Sequence, residues 1–203
     1  MDERLLQAET IVFDVGNVLL SFDPALVAAL FPEEHREALK NAIFGPDWRW
    51  GALDLGIETN EEIALSVAKR AGVPGGDKMV LRAFYDFYQT MTPLPLYHLI
   101  PGLKAMGKLL LALTNYGEPA FTNAWRAFPN LQMLDGQVVS AREKLVKPDP
   151  AIFQLLIQRY GLRPDETLFI DDAAANVQAA SQAGFRIWHY AGNDTLPPEG
   201  VPV

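Results

Sequence analysis

Three aspartates in this chain stand at the ends of apolar runs. Asp14 ends the run TIVFD, and Asp171 and Asp172 end the run TLFIDD. A carboxylate can attack phosphorus and form an aspartyl-phosphate, and adjacent carboxylates repel each other unless a cation or hydrogen-bond donors lie between them. The pattern predicts Asp14 as a nucleophile, and Asp14 with Asp171 or Asp172 as oxygen ligands of the kind that Mg²⁺ prefers. A turn role for Asp14 is the alternative, because Asp before Gly and Asn is typical of turns.

Three further polar residues complete the chemistry. Thr114 and Asn115 follow the run LLLAL, and Lys147 stands in the segment KPDP. Phosphoryl transfer needs donors for the phosphoryl oxygens and a fixed positive charge, which a hydroxyl, an amide and an ammonium group supply. Taken singly, the Thr-Asn pair is also typical of a strand-to-helix turn, and a lysine before proline is typical of a solvated loop. Taken with the aspartates, they predict a phosphoryl-transfer site in which all three bind phosphate and Lys147 takes part in catalysis.

The elements that must position these residues are short strands. Residues 10–15, 109–114, 167–172 and 186–190 are continuously apolar rather than alternating, which favours parallel strands covered on both faces. Helix-like segments separate them. This pattern predicts an α/β fold with a Rossmann-like, doubly wound parallel sheet, in which ligands bind beyond the carboxyl ends of the strands.

The interval between the first two strands has a different character. It contains amphipathic helical patterns, one of which begins with a capping box at Thr59 and ends at Gly72. We predict an all-helical cap at 22–94, inserted into a core formed by 1–21 and 95–203. The proline-rich stretch TPLPLYHLIPG, residues 92–102, is predicted to be a non-helical connection.

In the order Asp, Thr-Asn, Lys-Pro, Asp-Asp, the chain resembles the haloacid dehalogenase-like (HAD) hydrolase superfamily, in its helical-cap branch. The segments that carry the resemblance are VFDVGNVLL, LALTNYG, VSAREKLVKPDPAIF and TLFIDDAAANVQAASQAG. It implies a mobile cap, a small phosphorylated substrate, an aspartyl ester on Asp14 and magnesium in the phosphatase members. It also implies that Asp172, with Asp171, serves the metal, while Asn176 falls where relatives often have an acidic residue.

One position departs from the family pattern. Most phosphatases of the family have a second Asp two residues after the nucleophile, where it acts as a general acid, and this chain has Gly16 there. The Gly16 carbonyl remains a candidate metal ligand, but general acid catalysis, worth about 10²- to 10⁴-fold, is missing. The first motif thus resembles that of sugar 1-phosphate phosphatases with an Asp-x-Gly-Asn sequence. We expect sugar 1-phosphates or aryl phosphates to be preferred over sugar 6-phosphates, because their leaving groups need less protonation.

Two other functions remain open from the sequence. A metal-free 2-haloacid dehalogenase also lacks the second Asp, although it gains nothing from the adjacent acids Asp171 and Asp172. A degenerate, non-hydrolytic phospho-accepting module is the second alternative, because Gly16 weakens hydrolysis.

The composition narrows the class of protein. The net charge of −8 and the absence of a basic run argue against nucleic-acid binding. The chain has no cysteine, no apolar run long enough for a membrane span and no signal-like N-terminus. We therefore expect a cytoplasmic enzyme, monomeric or homodimeric, without a membrane partner.

The sequence also predicts roles for four residues outside the motifs. Trp48, Arg49 and Trp50 lie in the predicted cap, where this family places substrate specificity, although the two tryptophans also suit a cap core. His189 stands in an apolar run and is predicted to be a core residue.

Overall fold

The computed structural model describes residues 2–46 and 49–190. Within them lie five β-strands, eleven α-helices and three short 3₁₀-helices. In chain order the strands and α-helices are α1 (Glu3–Gln7), β1 (Thr10–Phe13), α2 (Pro24–Ala28), α3 (Glu33–Phe44), α4 (Arg49–Leu55), α5 (Asn60–Ala71), α6 (Gly76–Asp86), α7 (Pro95–Ala105), β2 (Leu109–Thr114), α8 (Ala120–Ala127), β3 (Gly136–Val139), α9 (Ser140–Glu143), α10 (Pro150–Tyr160), β4 (Thr167–Asp171), α11 (Ala174–Gln182) and β5 (Arg186–His189). The 3₁₀-helices are Phe87–Thr90, Pro129–Met133 and Pro164–Glu166.

The five strands form one sheet in the order β3-β2-β1-β4-β5, and all neighbouring strands are parallel. The register places Phe13 of β1 beside Ala112 of β2 and Ile170 of β4. The residues at the carboxyl ends of these three strands therefore meet at one edge of the sheet. The predicted Rossmann-like α/β fold is confirmed, and the described part of the insertion between β1 and β2 contains no strand.

The central strands are buried on both faces, as their apolar runs predict. In β1, Ile11 and Phe13 pack into a large cluster shared with the helical insertion, whereas Val12 packs into a second cluster against α10. Each face of the sheet is thus covered by helices. Burying a side chain such as Phe13 contributes roughly 1.5–3 kcal/mol, so these alternating contacts hold the carboxyl edge in a defined shape.

The sequence does not predict β3. Its four residues GQVV contain only two apolar side chains, Val138 and Val139, and the strand lies at the edge of the sheet. β1 is also shorter than predicted, because the backbone amide of Val15 donates to the Asp14 carboxylate instead of continuing the ladder.

The prediction that residues 92–102 are not helical is wrong, because α7 covers most of that stretch. Pro95 takes the first helical position, where its missing N–H costs nothing. Pro101 lies inside the helix and cannot donate to the carbonyl of Tyr97, but the side chain of Asn130 donates to that carbonyl at 3.1 Å. A neighbouring side chain thus satisfies the acceptor that Pro101 leaves unpaired.

The helical insertion leaves and rejoins the sheet at adjacent points. The backbone amide of Ser21 donates to the Thr92 carbonyl at 2.8 Å, and the Thr92 amide donates to Ser21 Oγ at 2.9 Å. The capping box at Thr59 and the left-handed Gly72 are present as predicted. The division into a core and a cap at these connections stays a prediction. No helix within the described ranges is long and apolar enough to span a bilayer.

Candidate active site

Asp14 lies directly after β1 and is almost fully buried. Its backbone amide donates to the Ile170 carbonyl at 2.9 Å, which fixes it between β1 and β4. Its Oδ1 accepts from the Val15 amide at 2.7 Å and lies 3.0 Å from Lys147 Nζ. Burial raises the pKa of Asp14 to about 7, against the influence of Lys147 and with a further rise from the charge of Asp171.

Lys147 is a buried ammonium between two carboxylates, and not the solvated loop lysine that its sequence context allows. Its Nζ lies 2.6 Å from Asp171 Oδ2 as well as 3.0 Å from Asp14 Oδ1. Burial lowers the pKa of Lys147, but the charges of Asp14 and Asp171 outweigh it and raise the pKa above its ordinary value. Lys147 therefore stays positively charged at neutral pH.

Asp171 ends β4 with both carboxylate oxygens occupied. Oδ1 accepts from the Ala173 amide at 2.9 Å and from Asn176 Nδ2 at 3.0 Å. Oδ2 accepts from Lys147 at 2.6 Å and from Asn176 Nδ2 at 3.1 Å. Asp171 is completely buried. Its contacts hold Lys147 in place.

Asp172 is more open than its neighbour. Its Oδ2 accepts one hydrogen bond, of 3.2 Å, from Asn17 Nδ2, and burial raises its pKa. Asn17 has a left-handed backbone, with φ of 54°, and its Oδ1 accepts from the Phe22 amide at 2.9 Å. His189, predicted to lie in the core, is exposed, because the side chains of β5 alternate in burial, and its Nε2 lies 2.9 Å from the Asp172 carbonyl.

The three predicted acids come together at the sheet edge. One oxygen of each of Asp14, Asp171 and Asp172 lies within 4.8 Å of the others, a spacing that can hold a metal ion. Hard oxygen ligands of this kind suit Mg²⁺.

Thr114 and Asn115 lie beside these acids but differ in their contacts. Asn115 Nδ2 donates to the Lys147 carbonyl at 2.9 Å, and Asn115 Oδ1 accepts from the Lys147 amide at 2.8 Å. Thr114 is buried, and its hydroxyl has no hydrogen-bond partner among residues 2–46 and 49–190. The Thr114 hydroxyl is thus unpaired within these ranges, whereas most of the Asn115 amide is already engaged.

A pocket of about 440 Å³ opens above Asp14. Its walls come from both the sheet edge and the helical insertion, and are formed by Asp14, Gly16, Asn17, Phe22, Trp50, Asp54, Phe87, Met91, Asn115, Tyr116, Asp172 and Ala173. The aromatic rings touch one another: the Trp50 and Phe87 centroids are 4.9 Å apart, and those of Phe87 and Tyr116 are 5.3 Å apart. The pocket therefore has a charged floor and apolar walls.

Asp54, on α4, contributes a third carboxyl group to the pocket wall, beside Asp14 and Asp172. The hydroxyl of Ser140 donates to the Asp54 carbonyl at 2.5 Å and accepts from the Tyr116 amide at 2.9 Å. Burial raises the pKa of Asp54 to about 7, the charge of Asp14 adds to the rise, and Lys147 opposes it. The sequence does not predict a role for Asp54 or Ser140. Ser140 is completely buried and lies in the motif segment VSAREKLVKPDPAIF, but nothing in that segment indicates that its hydroxyl contacts α4.

Trp48, Arg49 and Trp50, the predicted specificity residues, do not all lie at the pocket. Trp50 lines the pocket. Arg49 forms an ion pair of 2.6 Å with Glu58 and is absent from the pocket wall. Trp48 lies outside the described residues. Trp50 thus shares the pocket wall with four of the predicted site residues, namely Asp14, Gly16, Asn115 and Asp172. Lys147 and Asp171 are joined to Asp14 by the buried ion pairs, and Thr114 is buried at the end of β2, outside the pocket wall.

Six curated proteins match the chain, among them the following two. Sesquiterpene phosphatase astK from Aspergillus oryzae is 22% identical over 174 residues, which cover 85% of each chain. Acyl-CoA dehydrogenase family member 10 from Mus musculus is 35% identical over 85 residues, which are 42% of this chain and 8% of that protein. The chain therefore spans only a small part of the mouse protein.

Among solved structures, a HAD family enzyme from Bacteroides thetaiotaomicron, in complex with magnesium and inorganic phosphate, has a TM-score of 0.74 and 24% sequence identity, with 93% of this chain and 97% of that chain covered. At this identity the likeness establishes the fold. A family model described as haloacid dehalogenase-like hydrolase matches residues 8–184, a span that contains all the predicted site residues. The chain belongs to the haloacid dehalogenase-like hydrolase family.

Proposed function

We propose that this protein is a magnesium-dependent phosphatase that hydrolyses a small phosphorylated metabolite through an aspartyl-phosphate on Asp14. The observation that carries the proposal is the pairing of Asp14 Oδ1 with Lys147 Nζ at 3.0 Å, beside two further carboxylates and beneath a pocket. The phosphatase relative from Aspergillus oryzae and the Bacteroides enzyme that binds magnesium and phosphate support it.

The acids fit a divalent cation. Asp14 and Asp172, with the Gly16 carbonyl, would hold Mg²⁺, because both carboxylates and Gly16 line the pocket. Asp171 has the spacing of a ligand, but its oxygens already accept hydrogen bonds from Lys147, Asn176 and Ala173. Bound there, Mg²⁺ would supply Lewis-acid stabilisation of the phosphoryl oxygens and favour ionised Asp14.

The remaining residues have complementary tasks. Asp14 Oδ1 is engaged by Val15 and Lys147, so Oδ2 is the oxygen proposed to attack phosphorus. The Thr114 hydroxyl and the remaining Asn115 N–H would donate to phosphoryl oxygens. Lys147 balances charge as the phosphoryl group transfers, and such fixed donors and charges are most effective in a buried site.

For the substrate, we propose a small phosphate ester, with sugar 1-phosphates as the first candidates. The Asp-x-Gly-Asn sequence at residues 14–17 resembles the first motif of sugar 1-phosphate phosphatases, and the pocket volume of about 440 Å³ lies in the range of small-molecule sites. A cytoplasmic location, suggested by the absence of cysteine, and a monomeric or homodimeric state are parts of the same proposal.

A phosphate-release screen tests the proposal. Sugar 1- and 6-phosphates, nucleotides and aryl phosphates are incubated with the enzyme in Mg²⁺ or in a chelator, with Asp14→Asn as the blank. We expect Mg²⁺-dependent release that the blank lacks. Release that survives Asp14→Asn would overturn the mechanism, and chelator-resistant halide release from 2-haloacids would indicate a dehalogenase instead.

A further inference from the structure

Gly16 leaves the proposed phosphatase without a proton donor where most relatives have one, and the pocket offers few replacements. Among the lining residues, Asp14 and Asp172 are committed to the nucleophilic and metal-binding roles, and the side-chain amides do not transfer protons. Burial raises the pKa of Tyr116 far above its ordinary value, which makes it a poor acid at neutral pH. Asp54 is the remaining titratable group of the pocket wall.

We propose that Asp54, which belongs to the helical insertion, is the general acid and base of this enzyme. It would take the role of the side chain that Gly16 lacks. This inference rests on the proposed phosphatase function. Asp54 lines the same pocket as Asp14, and no described residue hydrogen-bonds to its carboxyl group. Its proton is therefore free to meet a substrate.

The backbone of Asp54 is held against the core. Ser140 Oγ donates to its carbonyl at 2.5 Å. Two residues later, Gly56 packs so closely on Ala141 that an added Cβ would lie 2.6 Å from the Ala141 carbonyl oxygen. Lys144 Nζ donates to the carbonyls of both Gly56 and Ala141. These contacts fix the end of α4 over the site, which is the preorganisation that proton transfer needs.

The surrounding charges suit this role. The charged groups that act on Asp54 are Asp14, which raises its pKa, and Lys147, which lowers it, and Asp54 in turn raises the pKa of Tyr116. Burial is the largest influence, and the resulting pKa of about 7 lies near the pH at which general acid catalysis is most effective.

The chemical steps balance as follows. Asp14 forms a bond to phosphorus while the bond from phosphorus to the ester oxygen breaks, and the Asp54 carboxyl proton moves to that oxygen, which leaves as a neutral alcohol. Water then attacks the phosphorus of the aspartyl-phosphate and gives a proton to the Asp54 carboxylate. Inorganic phosphate and ionised Asp14 are released, and Asp54 is protonated again.

The test compares two substrates of similar shape, 4-nitrophenyl phosphate and phenyl phosphate, in wild type and Asp54→Asn. Nitrophenolate leaves without protonation, whereas phenolate is a much poorer leaving group. We expect kcat/KM to fall at least about tenfold more for phenyl phosphate than for 4-nitrophenyl phosphate, because only the former needs the acid. A burst of nitrophenolate from Asp54→Asn would report the slowed second step.

Further variants make the outcome decisive. Gly16→Asp added to Asp54→Asn should restore phenyl phosphate turnover, because a Cβ at Gly16 has no heavy atom within 4 Å. Ser140→Ala should lower kcat/KM less than Asp54→Asn does, again more for phenyl phosphate than for 4-nitrophenyl phosphate. Asp77→Asn, outside the pocket, should affect both substrates equally. Equal losses on both substrates in Asp54→Asn, without rescue, would overturn the role of Asp54. If the wild-type enzyme released no more phosphate than Asp14→Asn, the proposed function itself would be overturned.

Discussion

The side-chain amide of Asn115 forms two hydrogen bonds with the backbone of Lys147, donating to its carbonyl at 2.9 Å and accepting from its amide at 2.8 Å. The residue that follows β2 thus holds the loop that delivers the buried ammonium to Asp14. A single N–H of Asn115 remains for a phosphoryl oxygen. Both roles depend on the same side chain, so its loss should disturb the position of Lys147 as well as phosphate binding.

Asn115→Ala should lower kcat by about 10²-fold, because a displacement of about 1 Å in a catalytic group costs this much. Steady-state kinetics with 4-nitrophenyl phosphate in Mg²⁺ measures the effect. The matched control is Asn123→Ala, whose side chain donates to the Tyr85 carbonyl on the helical insertion and not to the site. A loss no larger than that of the control would contradict the positioning role.

Lys147→Met should destabilise the fold as well as inactivate the enzyme. The substitution leaves Asp14 and Asp171 buried without a cation, and breaking a buried ion pair in this way costs about 3–5 kcal/mol. Urea denaturation without Mg²⁺ measures the change in the free energy of unfolding. Lys104→Met, which breaks the partly exposed pair with Asp135, should cost no more than about 1 kcal/mol. Similar costs for the two variants would show that the Lys147 pairs are screened by water.

The site residues on strands were predictable, because an apolar run that ends in a polar residue identifies both the strand and its carboxyl end. Asp14, Thr114 and Asp171 all follow this pattern, and the parallel register then brings them together. The edge strand β3 and the proline-containing α7 were not predictable in this way. Their stability depends on contacts with distant residues, such as the Asn130 side chain that caps the Tyr97 carbonyl.

Asp54 shows the limit of sequence analysis for the site itself. It is separated from Asp14 by 40 residues of chain, and its place in the pocket depends on how α4 docks against Ser140. The segment WRWGALDLGIETNEE, which contains Asp54, resembles the cap of this family, but it carries no signal that assigns a chemical role to Asp54. Only tertiary packing reveals that its carboxyl group shares a pocket with the nucleophile.

Asp171 and Asp172 should respond differently to substitution. Asp172→Asn should abolish the thermal stabilisation by Mg²⁺, which reaches about 2.7 kcal/mol at 100 times Kd for a site of this kind. Asp171→Asn should instead lower stability already without metal, because its oxygens accept from Lys147 and Asn176. The unfolding temperatures of the two variants, measured with and without Mg²⁺, distinguish these two effects. A full Mg²⁺ shift in Asp172→Asn would exclude that residue as a ligand.

Gly16→Asp alone should increase turnover of phenyl phosphate more than that of 4-nitrophenyl phosphate. The Cβ of the new residue meets no heavy atom within 4 Å, so the fold should accept it. The gain should be a few-fold if Asp54 already supplies a proton, and closer to the 10²- to 10⁴-fold range of a new general acid if it does not. An unchanged ratio between the two substrates would show that proton donation does not limit the reaction.

The ratio of kcat/KM for phenyl phosphate to that for 4-nitrophenyl phosphate should depend on pH. Asp54 must be protonated to act as the acid, and its pKa of about 7 means that this form predominates below pH 7 and is lost as the pH rises. Above that pH the ratio should fall by about tenfold per unit, because the protonated fraction falls tenfold. Taking the ratio removes the titration of Asp14 and of the metal site, which both substrates share. The Asp54→Asn variant should give a low ratio that does not change with pH, and a pH-independent ratio in wild type would exclude Asp54 as the donor.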